Sequence, residues 1–126
     1  MKPIFLLALV VASFNSFAGN NKNPQWQPTT LSDTTIKKIQ QAKYQYMLCI
    51  TKEMQNKTYI KLDTRAATDK VLIKCEPSLA QVRAVFTEEK VPTTISDRYL
   101  KKTRTQTARK VLEQFMYAQA ARKMGK

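Results

Sequence analysis

The chain has 126 residues, 43% of them hydrophobic, with 22 basic against nine acidic side chains and a formal net charge of +13. That length holds one domain and no more. Histidine is absent and glycine occurs twice, which removes every hydrolytic triad or dyad built on an imidazole base and every glycine-rich phosphate loop.

Residues 1–18 read as an export signal. Lys2 supplies the positive start, and Ile4 to Ala12 is an uncharged apolar run. Ser16-Phe17-Ala18 then places small residues at the two positions a signal peptidase reads, so cleavage is expected before Gly19. The run is shorter than the roughly 20 apolar residues a bilayer span needs. No later stretch approaches that length, so the mature chain is expected to be soluble, with a net charge of +12 once Lys2 is lost.

Residues 19–31 form a polar arm with two prolines and no apolar periodicity. Trp26 stands alone in it, between Pro24 and Pro28. Such an aromatic either anchors at a membrane interface or partner pocket, or folds back over the domain's own core.

The bundle domain is expected over residues 32–126. Ser32 is a suitable N-cap, and Ile36, Ile39, Ala42, Tyr46, Cys49 and Ile50 follow at helical spacing to about Gln55. Residues 56–62 break the pattern. Asp63 or Thr64 can cap a second helix with Ala67, Val71 and Cys75 on one face. Pro77 disfavours helical geometry in Glu76, so this helix is expected to end or kink there. Pro77 would then open a short third helix carrying Leu79, Val82, Val85 and Phe86. After a break at residues 88–92, Thr94-Ile-Ser-Asp97 fits a capping box for a long last helix. Its apolar face is Leu100, Ala108, Val111, Leu112, Phe115 and Ala118. The fold class is all-α, a bundle of about four helices.

Cys49 and Cys75 both fall on inward faces. In the oxidising compartment an export signal leads to, one intrachain disulfide is expected. Zinc would need further ligands, and neither histidine nor a C-x-x-C motif is present.

No catalytic constellation stands out, and neither a metal nor a cofactor is expected. The serines left after cleavage, Ser32, Ser78 and Ser96, all sit where helix caps are expected. Glu88-Glu89, the one close carboxylate pair, reads as solvated charge at a helix end. Glu53, Asp63 and Asp69 have no spacing that argues for a shared site. The chain reads as a binding protein and not as an enzyme.

The densest signal is the run from Arg98 to Lys110, with Arg98, Lys101, Lys102, Arg104, Arg109 and Lys110 and no acidic residue. On a helix, Arg98, Lys102 and Arg109 fall within about 40° of one another, with Thr105 on the same ridge. Guanidinium forks, ammonium groups and hydroxyls suit phosphate oxygens. The competing reading is a merely solvated helix face. A looser basic set is Lys61 with Arg65 and Lys70 with Lys74. Nucleic acid is the weaker partner, because Tyr99 is the one aromatic in the run and no reading module is present. Phosphoinositide headgroups on an anionic membrane need only clustered cations on a folded face. An acidic protein, held by an inhibitor or immunity-type chain in the periplasm, is the alternative.

The signal ending Ser-Phe-Ala18, the Asn/Gln/Lys-rich arm and the cysteine pair with its "LIKCEP" segment together resemble small helical proteins of Gram-negative intracellular pathogens. Those proteins leave the cell by type II secretion. The resemblance lies in general organisation. It implies oxidation in the periplasm, release to the outside and contact with host membranes, and it carries over no site residue.

Overall fold

Ser32 starts the first helix, α1 (Asp33–Met54), by accepting the N–H of Thr35 at 3.2 Å, with Asp33 favourable in the first turn. The computed structural model describes residues 30–125. The expected signal segment, most of the arm and Trp26 lie outside the described residues. α1 buries Thr35, Ile39, Tyr46 and Ile50. Ile36, expected on that stripe, is exposed, and the smaller Thr35 fills the inward position.

The chain then makes a 3₁₀ turn, Lys57–Lys61, capped by Asn56, whose side chain accepts the Thr58 N–H at 3.0 Å. Asp63 caps α2 (Thr64–Glu88) by accepting from the N–H groups of Arg65 and Ala66. α2 continues through Pro77 and does not end there. The bundle therefore has three α-helices among the described residues, where the proline had suggested about four.

The reason lies in which face carries the proline. Val71, Cys75, Leu79, Val82 and Phe86 are all buried, spaced three and four apart across the break point. Pro77 is exposed, and Ile73, whose carbonyl loses its partner, is 72% exposed. An interior proline costs about 3 kcal/mol. Each large side chain buried beyond it contributes roughly 1.5–3 kcal/mol, and Leu79, Val82 and Phe86 together outweigh that cost. Ser78 consequently lies inside the helix and caps nothing.

α2 closes on a Schellman arrangement. Val91 N–H reaches the Phe86 carbonyl at 3.0 Å, and Lys90 N–H reaches Thr87 at 3.1 Å. Lys90 occupies the left-handed position with φ 56°, and Val91 joins Phe86 in the core. α3 (Thr93–Met124) begins immediately after Pro92, which takes the N-cap position with no side-chain hydrogen bond. Thr94 is then already inside the first turn, so the expected capping box does not form. Ser96 is buried and donates to the Thr93 carbonyl at 3.0 Å, a second serine that caps nothing.

α2 is the middle helix and packs on both α1 and α3. Its Cys75 is bonded to Cys49 of α1, with the Cα atoms 5.8 Å apart. The core centres on Tyr46, Val71, Cys75, Val82, Phe86 and Val111. From α3, Leu100, Thr103, Thr107 and Val111 point inward, while Ala118 is exposed. Thr107 donates to the Met47 sulfur at 3.8 Å, and burial pushes the Tyr46 phenol up, partly offset by a hydrogen bond with Thr107. The inward Thr107 of α3 thus meets a polarisable sulfur and a phenol of α1. No strand occurs, and no helix is long and apolar enough to cross a membrane, among the described residues.

Candidate functional site

α3 carries the basic run on its outer side. Arg98, Lys102 and Arg109 are exposed, as is Thr105. By helix geometry they lie about 160–200° from Leu100, which faces the core. The three cations span about 16 Å along the axis. Among the described residues none of them is in an ion pair. α3 has no acidic residue between Asp97 and Glu113, and Asp97 is turned to α2, where Arg83 donates to it at 2.6 Å.

The other members of the run divide. Arg104 reaches back across the helix interface and pairs with Glu76 of α2. Lys101 joins it beside the groove between α2 and α3, which Leu79, Ala80 and Leu100 floor. Lys110 is exposed but lies about 100° around the helix from Arg109, on the other flank. The ridge therefore keeps three aligned cations out of six, and Arg104 serves the packing of α3 on α2.

The looser basic set does not assemble. Arg65 lies on the same side of α2 as Glu76 and Arg83, the residues that pair with α3. Lys70 and Lys74 lie about 120–180° around α2 from Glu76 and Arg83. They border a shallow groove of about 500 Å³ with Tyr59, Leu62 and Ile73. Lys61 lies in the 3₁₀ turn, between the Tyr59 and Leu62 that line this groove.

Tyr99, the aromatic within the basic run, is half-buried. Its ring lies 5.1 Å from that of Phe86, and Lys43 of α1 sits over it at 5.8 Å. Burial pushes its phenol up, partly offset by a hydrogen bond with Thr103. Phe86 and Lys43 both engage the ring, which makes it a poor stacking platform.

Glu53, Asp63 and Glu89 are likewise engaged locally. Glu53 accepts the Tyr59 hydroxyl at 3.0 Å, Asp63 caps α2, and Glu89 holds Lys38 and Thr35 of α1. Among the described residues no group of three or more acidic or cysteine side chains converges on a point where a metal could bind.

Two features had no clear sequence signal. The Arg83–Asp97 and Glu76–Arg104 pairs depend on how α2 and α3 are set against each other. The apolar end of α3, with Met116 and Tyr117 exposed, lies off the stripe of Leu100, Ala108, Val111, Leu112, Phe115 and Ala118 that the helical spacing marks out. The chain matches no protein-family model, and no curated protein or solved structure matches it.

Proposed function

We propose that this is an exported, non-enzymatic binding protein whose α3 ridge docks on phosphorylated lipid headgroups, with phosphoinositides of a host membrane as the ligand class. The observation that carries the reading is the alignment of Arg98, Lys102 and Arg109, exposed and without acidic partners among the described residues. Three cations on a rigid helix meet several phosphates at once without reorganisation, and each contributes about 1 kcal/mol near an anionic surface. The engagement of Tyr99 by Phe86 and Lys43 favours lipid over single-stranded nucleic acid, where aromatic stacking carries much of the affinity. The disulfide is compatible with oxidation after export.

Sedimentation with phosphatidylcholine vesicles, with and without phosphoinositide, tests the reading. Binding that depends on phosphoinositide supports it. Equal binding to neutral vesicles, or a stoichiometric complex with an acidic protein retained in the periplasm, contradicts it.

A further inference from the structure

α3 outruns its neighbour. Asp97 pairs with Arg83 and Arg104 with Glu76, seven residues further along each helix in opposite directions. Continuing that register brings Thr64, the first residue of α2, level with Met116. The remaining residues of α3, about 12 Å of helix, project past the α2 terminus. Among the described residues the 3₁₀ turn accompanies this end, through the Tyr59–Phe115 ring contact at its base and the bond from Arg122 to the Ile60 carbonyl at 3.0 Å.

Of the eight exposed large apolar side chains among the described residues, four lie at this end. Met116 is 55% exposed, Tyr117 65% and Met124 85%, with Ile60 of the 3₁₀ turn at 50%. On this part of α3 the charges are mostly basic, Arg109, Lys110, Arg122 and Lys123 against Glu113, while Glu53 and Asp63 lie nearby at the ends of α1 and α2 and are engaged there by Tyr59 and by the α2 cap.

Helix geometry links this apolar end to the basic ridge. Leu112 and Met116 lie within about 80° of Arg98, Lys102 and Arg109 around α3, and Met116 shares the angle of Arg98. Whatever surface the ridge faces, Met116 faces too.

We infer that the end of α3 centred on Met116 and Tyr117 is a wedge that enters the headgroup–acyl boundary of the anionic bilayer met by the ridge. This rests on the lipid-binding reading above. An apolar helix end rimmed by Lys and Arg is the composition of interfacial membrane helices, and tyrosine places its ring in the apolar layer with its hydroxyl in water. A second copy of the chain is the poorer occupant. A two-fold contact through this face would set Arg109, Lys110, Arg122 and Lys123 near their own counterparts.

The test uses the full mature chain carrying Trp26→Phe and Tyr117→Trp, with vesicles containing phosphoinositide and lipids brominated near the top of the acyl chain. The introduced indole should shift to the blue and be quenched on binding. In parallel, Met116→Ser/Tyr117→Ser should lose roughly tenfold in vesicle affinity. It should bind soluble inositol trisphosphate as the parent does. The wedge is overturned if the indole stays unquenched on bound protein, or if the serine variant binds vesicles as tightly as the parent. It is also overturned if the parent is a dimer that the serine variant dissolves. If the parent binds neither phosphoinositide vesicles nor inositol trisphosphate, the lipid-binding reading falls and the wedge with it. A wedge that fails alone leaves headgroup binding intact.

Discussion

Cys75 lies two residues before Pro77, and its bond to Cys49 ties α1 to the one turn of α2 that lacks a backbone hydrogen bond. The crosslink closes a loop of 26 residues in sequence separation. A loop of that size removes unfolded-chain entropy worth about 3–4 kcal/mol. Replacing both cysteines by serine should lower the unfolding free energy by that order in urea titration. A loss below about 1 kcal/mol would mean the helices hold each other without it.

Pro77→Ala tests the same turn from the other side. Alanine restores an N–H for the Ile73 carbonyl and removes the ring clash, while the unfolded chain gains freedom. Because Pro77 is exposed, no packing is lost. Thermal melts should show a net gain of about 1–2 kcal/mol, and a lower melting temperature would contradict the account of why α2 continues.

Pro77 also marks the limit of what local sequence could tell. The residue before a proline is biased against helix, and that rule pointed to a fourth element. It was overridden by a buried stripe running from Val71 to Phe86, and such an override depends on what lies across the interface. Ser32 and Asp63 were legible as caps because capping is local, whereas Ser78 and Ser96 sit inside helices whose starts were set elsewhere. The alignment of Arg98, Lys102 and Arg109 needed only the helical period. The withdrawal of Arg104 to Glu76 needed the antiparallel setting of α2 and α3, which no single helix encodes.

Lys90 holds the left-handed position that ends α2, where a side chain is strained and glycine is not. Lys90→Gly should raise stability by roughly 0.5–1 kcal/mol in chemical denaturation, with the Val91 to Phe86 hydrogen bond retained. An unchanged or lower stability would show that the Lys90 side chain contributes something the backbone strain conceals.

Glu89 fastens the start of α1 to the end of α2. It accepts from Lys38 and from the Thr35 hydroxyl, and these two hydrogen bonds hold its carboxyl below the ordinary value of 4.5. A depressed carboxyl pKa stabilises the fold above the unfolded value, and that contribution is lost as pH falls through the lower, folded one. Lys38 is raised above 10.5 by the same contact. Its share is present below that value and is lost as pH rises past the folded one. Melting temperatures of the parent and Glu89→Gln should therefore differ near pH 7 and converge as pH falls through the lowered carboxyl value. A gap independent of pH would place the effect in packing and not in the charge.

The central claim is that binding resides in three aligned cations of α3 and not in bulk charge. Vesicle affinity of Arg98→Glu/Lys102→Glu/Arg109→Glu, set beside Lys37→Glu/Lys52→Glu/Lys74→Glu, tests it most directly. Both triples replace three exposed cations by acids, so they change net charge equally. The account predicts a loss of about a hundredfold or more on phosphoinositide vesicles for the first triple, and a much smaller loss for the second. Equal losses in the two, or none in the first, would contradict it.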